Sequence, residues 1–409
     1  MSYGLVYSTG SKSLIRQLNR SAVLNLIKRE GPVSRVEIAR RLSLSGAAVT
    51  SIAGELEGLG VIRSVAQGPS TGGRPPTLLA LNAEAACVIG IKLSVDHLAA
   101  VVADLEGEVL DGRVQPLTGH TLDDVRHSIV RLAAALRQEA GGRNLLGIGI
   151  GMPGVVDGSR GVCVDSPILG WQDVPVAEII AQDLRLPVLV DNDVNTLAVA
   201  EQLYGHGRHV NNFVTVTIGR GVGSGIVVAG QLVRGRLGAA GEFGHVPVVL
   251  NGPACECGRR GCLETFIADA ALVTTARRAG LIGRRQGVGS LTQLADADNA
   301  DARQIFAHAG DRLGVALAGL VNVLSPELVI VSGEGMRARR HIEPALRAAI
   351  DGHVFPPLRG VELVVDQWDD TKWAHGAAAL VLEAFFSVGR DKATNGGAMD
   401  LASFVAEAV

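Results

Sequence analysis

Residues 244–264 read GHVPVVLNGPACECGRRGCLE and hold three of the five cysteines in a chain of 409 residues. Cys255 and Cys257 flank a single glutamate, Cys262 follows shortly after, and His245 precedes them. Three thiols and one imidazole match the tetrahedral N/S ligation that zinc prefers, so His245, Cys255, Cys257 and Cys262 are candidate ligands of a structural Zn2+. Gly258 and Gly261 permit the tight turns needed to bring three sulfurs around one ion. Free thiols in a buried loop, or a redox pair, are the alternative uses of such a cluster. Cys87 and Cys163 stand alone and read as small core residues. Five cysteines in so long a chain make no disulfide framework, which points to a reducing cytoplasm.

Moving outward, Glu242 lies just before His245 and Glu264 just after Cys262. A metal loop bracketed by two carboxylates fixes where they point. Once one His245 nitrogen is given to a metal, the other is set to donate to a ligand hydroxyl.

From residue 83 to about 388 the pattern alternates strands with helices. CVIGIKLS and LAAVVADLEG form a hairpin, and TLDDVRHSIVRLAAALRQEA reads as a helix. LPVLVDNDVNTLAVAEQLYG reads as a strand that ends at Asp191-Asn192-Asp193 and runs into a helix. Residues 213–235 form a second glycine-rich hairpin. With 52 glycines and 3% aromatics, the composition suits a glycine-turn-rich α/β protein. The apolar run GVALAGLVNVLSPELVIVSG is broken by Asn322, Ser325, Pro326 and Glu327, so it predicts a buried helix and a strand, not a membrane span. No signal peptide is visible at the N-terminus.

Residues 1–82 differ in charge. They carry ten lysines and arginines against four acidic residues, net +6, while the rest of the chain is net −9. A basic head on an acidic body points to a polyanion met by the head alone, with a solvated basic face as the alternative. Ser34 and Glu37 have capping-box spacing and open a short helix. A second helix starts near Ser45, with Val49, Ile52, Leu56 and Leu59 on one face and Gly46, Ala47, Thr50, Ser51 and Gly54 on the other. A face of small and hydroxylated side chains lets a helix sink into the DNA major groove. VIRSVAQGPSTGGRPPTLLAL then reads as two strands around a flexible turn, a wing whose Arg74 suits a narrow minor groove. The head is therefore a winged helix-turn-helix, with Arg35, Ser45, Ala47, Thr50, Ser51 and Arg74 as candidate DNA contacts.

Taken in order, the winged helix, GGRPP, NDVN, TIGRGVGSG, GEFGH and CECGRRGCLE resemble the ROK family of repressors, open reading frames and sugar kinases. The resemblance covers roughly residues 20–385. It implies a two-lobed actin-like, hexokinase-like fold related to ribonuclease H. It also implies a sugar site at Gly154, Asn192, Asp193, Glu242, His245 and Glu264, with Asp193 at the position of the kinase general base. Carboxylates and amides in such a group can accept from and donate to vicinal hydroxyls in pairs.

The phosphate half departs from the family pattern. Kinases of the family carry Asp-x-Gly-Gly-Thr in the first hairpin, where this chain has Lys92 and then Leu93-Ser94-Val95-Asp96. Phosphate needs converging N–H groups and a slim backbone. Arg220 replaces a threonine in the second hairpin, and Glu334 intrudes into a later glycine turn. Lys92 and Arg220 could alternatively bind the phosphate of a sugar phosphate.

These features predict no catalysis. They predict a cytoplasmic, sugar-responsive transcriptional regulator, a repressor of carbohydrate genes, that binds an inverted-repeat operator as a homo-oligomer, dimer or tetramer, with a sugar or sugar phosphate as effector. The alternative is an ATP-dependent sugar kinase with an accessory DNA head. The expected domains are 1–82, 83–388 and a tail, 389–409, to which no role is assigned.

Overall fold

The structure is a computed structural model and describes residues 12–67, 75–119, 121–366 and 369–386. Arg74 and the tail 389–409 lie outside the described residues.

The head packs helices Lys12–Glu30, Arg35–Leu42 and Gly46–Gly58 on a sheet ordered Val33–Ser34, Thr77–Leu81, Ile62–Gln67. Ser34 accepts the Glu37 N–H and opens the second helix. Only this half of the expected capping box forms, because the Glu37 carboxylate turns instead to Arg40 and Arg41. A full box stands elsewhere, between Thr121 and Asp124 at the start of helix Leu122–Glu139. Ser43 ends the second head helix in the left-handed region (φ 53°). The Ser45 hydroxyl then caps the third. Val49, Ile52, Ala53 and Leu56 are buried, while Leu59 is only half-buried. Glu55 ties the first helix to the third through Arg16 and Arg20, each at 2.9 Å.

The body repeats one plan twice. In the first lobe the sheet order is Val188–Asn192, Asn144–Met152, Ala86–Leu93, His97–Asp104, Val109–Pro116. The last three strands form an antiparallel meander, and the first two run parallel to Ala86–Leu93. The second lobe has the same order of directions when its sheet is read as Glu362–Val365, Leu328–Ser332, Phe213–Ile218, Val222–Val228 and Gln231–Leu232. This duplicated mixed sheet is the two-lobed kinase-like architecture that the sequence predicts. The apolar run after residue 313 is the end of helix Ala300–Leu324 and the strand Leu328–Ser332. No helix among the described residues is long and apolar enough to cross a membrane.

Two helices fill the centre: Asp193–Leu203, the cleft helix, and Asp370–Phe386, the closing helix. Glycine lets them press on the sheets and on each other. A Cβ at Gly149 would lie 1.8 Å from the Ala377 carbonyl oxygen, and one at Gly376 would lie 2.5 Å from that of Thr196. The closing helix also joins head to body. Leu24 and Ile27 of the first head helix share one apolar cluster with Val88 and Val101 of the first lobe and with Ala378, Leu382 and Phe386. The Ser21 hydroxyl and the Asn25 amide both donate to the Phe386 carbonyl, the latter at 2.8 Å.

Candidate functional site

The segment after Glu242 folds back on itself through bridges between Pro247 and Cys262 and between Ala254 and Arg260. Gly261 sits at φ 76°, and a Cβ there would meet the Val249 carbonyl oxygen at 1.7 Å. This reversal gathers one ligand atom from each of His245, Cys255, Cys257 and Cys262 within 4.8 Å of one another. Cys255 Sγ is 3.5 Å from His245 Nδ1, and Cys257 Sγ is 3.7 Å from Cys262 Sγ. Ligands about 2.1–2.3 Å from a tetrahedral zinc are spaced by roughly 3.5–3.8 Å, so the donor set and its spacing fit a metal site. Burial pushes the Cys255 thiol up to about 12 and also raises Cys262, whereas the Arg259 N–H lowers Cys257. The two raised thiols hold their protons until a cation displaces them.

His245 is shared. Its Nδ1 faces the thiols and its Nε2 lies 3.7 Å from Glu242 Oε2. Glu264, at the start of the turn Glu264–Ile267, has one oxygen 3.7 Å from Cys255 Sγ and accepts the Val222 N–H with the other at 3.3 Å. The Glu242 carboxyl is raised by burial, then lowered by His245 and raised again by Glu264 and Asp193. Asp193 is raised by burial against the opposing charge of Lys92. Three carboxylates thus share one field.

Asn192 is largely committed within the fold. Its oxygen caps the cleft helix at Val194 and Asn195, and its amide donates to the Gly154 carbonyl at 3.0 Å. All six residues of the expected sugar group are brought together, but Asn192 and Gly154 shape the wall by holding each other. Two open clefts of about 720 and 650 Å3 flank strand Val109–Pro116, and none of the six lines either.

Sequence reasoning missed Asp191 and Arg234. Asp191 is 1% exposed and accepts from the Asn192 N–H, the Asn195 amide and Arg234 Nε, each at 2.8 Å. Arg234 follows the outer strand of the second lobe, so this pair crosses between lobes beside Asn192. A buried carboxylate at the end of an apolar strand was the available signal, since such a group requires partners.

The residues at the expected phosphate side are engaged within the fold. Lys92 is 6% exposed, pairs with Asp370 at 3.3 Å and lies 4.3 Å from the centre of the Trp373 ring. Its charge clamps the start of the closing helix. His97 lies between Asp96 and Asp370, at 2.7 and 3.2 Å. A Cβ on Gly219 would sit 3.3 Å from that of Glu334, so Glu334 packs on the second hairpin turn. Burial raises the Asp269 carboxyl, Glu334 adds to the shift, and Arg337 and Arg220 oppose it. Gly225, read from the sequence as part of a phosphate hairpin, also has a packing role, because a Cβ there would meet Ala198 of the cleft helix at 2.7 Å.

In the head, Ser45, Gly46, Ala47, Thr50, Ser51 and Gly54 are all exposed. Thr50 Oγ1 donates back to the Gly46 carbonyl at 2.8 Å. Arg35 is half-buried and pairs with Glu57 at 2.6 Å, and Glu57 also accepts the Ser64 hydroxyl.

Comparison with known proteins matches these parts. The profile described as the ROK family covers residues 88–384, and that of a winged helix-turn-helix DNA-binding module covers residues 17–63. The xylose repressor of Bacillus spizizenii is 28% identical over 385 residues, spanning 92% of this chain and 98% of its own. The DNA-binding transcriptional dual regulator NagC of Escherichia coli is 30% identical over 387 residues, spanning 92% and 95%. A solved ROK family transcriptional regulator, a homologue of the E. coli MLC protein, superposes with a TM-score of 0.83 at 27% identity, over 96% of this chain and 99% of that one. The ROK family glucokinase of Streptomyces griseus, solved with glucose and AMPPNP, superposes over 72% of this chain and 98% of its own, with a TM-score of 0.62 at 28% identity. The solved regulator thus covers more of this chain than the glucokinase does, and by profile, sequence and fold the chain belongs to the ROK family.

Proposed function

We propose that this chain is a sugar-responsive transcriptional repressor whose kinase-like body senses the sugar and whose winged head holds operator DNA. The observation that carries the reading is His245, which faces the thiol cluster with one nitrogen and Glu242 with the other. A metal loop built this way serves a ligand site, because it fixes the ring that would donate to a hydroxyl.

Zinc held by His245, Cys255, Cys257 and Cys262 supplies a rigid brace when bound. The chain's own groups do the recognition. Glu242, Glu264 and Asp193 accept from hydroxyls, and His245 donates. The Asn192–Gly154 contact shapes the wall. A neutral polyol suits three crowded carboxylates better than an anion does. The effector class is therefore a sugar bound through its hydroxyls, and the xylose repressor named above suggests a pentose as a first test.

Kinase chemistry has little support. Lys92 is tied to Asp370, and Glu334 and Asp269 put negative charge where nucleotide phosphate would approach. A thermal-shift panel separates the readings. A sugar at 100 times its Kd stabilises by about 2.7 kcal/mol, several degrees in a domain this large. The expected result is a shift with one sugar and none with MgATP; a MgATP shift with ADP release would install the kinase instead.

The head acts as a dimer on an inverted repeat, with two recognition helices about one DNA turn apart. The helix sinks into the groove because its outward face is small. Ser51→Glu is expected to weaken operator binding by more than ~30-fold, since a carboxylate there meets phosphates and base acceptors. Circular dichroism and melting should be unchanged. Retained binding in a gel-shift titration would move the interface off this helix.

A further inference from the structure

Lys28 stands near the end of the first head helix and reaches into the body. Its ammonium lies 4.1 Å from the centre of the Phe386 ring and 5.5 Å from that of Tyr204. Phe386 is the last residue of the closing helix, and Tyr204 caps the C-terminal end of the cleft helix. That cleft helix begins at Asp193, inside the candidate sugar group. Tyr204 also stacks on His375 of the closing helix, with centroids 4.9 Å apart and planes at 14°. His375 Nε2 in turn lies 2.6 Å from the Gly107 carbonyl oxygen, and a Cβ on Gly107 would strike the Tyr204 ring at 2.4 Å. The cleft helix and the closing helix therefore both end against one head side chain.

A lysine is an expensive choice for this position. Burial lowers its pKa to about 8, against the favourable charge of Glu383. An unbranched apolar side chain of the same length would fill the space without desolvating a charge. Local preferences broken in this way tend to mark functional positions.

We propose that Lys28, seated on Tyr204 and Phe386, is the joint through which a ligand at the cleft changes the DNA affinity of the head. This rests on the sugar-response reading above. A cation on an aromatic face is held by direction as well as distance, and most strongly when desolvated. The cleft helix has eleven residues, a rod about 16 Å long at 1.5 Å per residue. A ligand that pulls on its Asp193 end shifts the Tyr204 ring at its other end. Ser21 and Asn25, held on the Phe386 carbonyl, supply the pivot about which the head turns.

The test uses the full chain and a DNA fragment selected by the wild-type protein from a random pool. The sugar is the one giving the largest thermal shift among D-xylose, D-glucose, N-acetyl-D-glucosamine and the 6-phosphates of the two hexoses. Operator Kd is measured with and without sugar, sugar Kd by calorimetry, and melting by fluorescence. Lys28→Met is expected to melt no lower than wild type and to bind sugar normally. Its operator affinity without sugar should stay within ~3-fold of wild type, while the sugar-dependent change falls at least ~10-fold towards none. Lys28→Arg, which keeps a cation on the rings, should retain most of the change. Tyr204→Leu should lose it as Lys28→Met does, and Tyr204→Phe should keep it, since the Tyr204 hydroxyl is buried without a hydrogen-bond partner. Wild-type coupling in both Lys28→Met and Tyr204→Leu overturns the joint and leaves the sugar-response reading intact. A wild-type protein that binds sugar with no change in operator affinity fails that reading before any variant is made.

Discussion

Replacing Cys262 with serine is expected to release the metal, lower the melting temperature by on the order of 10 °C and abolish sugar binding together. A structural zinc contributes several kcal/mol, and in a domain this large about 1 kcal/mol moves Tm by 2–4 °C. Cys262 is fully buried and lies beside Cys257, so serine leaves a poor ligand with no solvent to replace the metal. The functional loss follows from connectivity. Glu264 rests beside Cys255 and holds the Val222 N–H, and His245 faces Glu242 from the ring edge opposite the thiols. Chelation of the wild-type protein should reproduce the effect, and Cys163→Ala should keep the metal. The metal should also loosen as pH falls, because its thiol ligands, two of them raised by burial, must lose protons to bind it. Metal content by atomic absorption, melting and calorimetry on the same samples check all of this.

Glu242→Ala is expected to cost sugar affinity about 1.5–3 kcal/mol, roughly 10- to 150-fold, the range for hydrogen bonds to a charged group. It should not cost stability. The Glu242 carboxyl is raised by burial and by its neighbours Glu264 and Asp193, so its removal relieves crowding of like charge. Operator binding without sugar should be unchanged, because Glu242 lies in the body far from the recognition helix in the chain and belongs to no head contact described above. The response to sugar should disappear. Glu264→Ala is a less clean probe, since the same carboxylate props the second hairpin at Val222. Calorimetry and a gel-shift titration read the two sides; a Glu242→Ala protein that still releases DNA at the wild-type sugar concentration moves the pocket elsewhere.

What the sequence makes legible is local. The thiol loop is compact in the chain, so its ligands are visible as a spacing. The recognition helix shows as an apolar stripe opposite small residues, and its exposed face in the structure is the one expected. The strand that ends at Asn192 and becomes a helix is legible for the same reason. What stays hidden is made by distant partners. Lys92 meets Asp370 across 278 residues, and no local pattern says that its charge clamps a helix rather than waiting for phosphate. Asp191 and Arg234 come from different lobes. Lys28 sits in an ordinary helical pattern, and only the fold puts Tyr204 and Phe386 beneath it. Glycine misleads in the other direction. A glycine-rich hairpin suggests phosphate, yet Gly225 and Gly149 make room for the two central helices. The Ser34–Glu37 spacing forms half of its box because two arginines compete for the same carboxylate.

If the metal-braced cleft and the DNA-binding head share one equilibrium, each ligand must change the affinity of the other. Operator affinity should be measured with and without saturating sugar, and sugar affinity with and without saturating operator, on the same zinc-loaded protein. Linkage predicts the same factor in both directions, on the order of 10- to 100-fold. Sugar that binds at the cleft while operator affinity stays constant would contradict it.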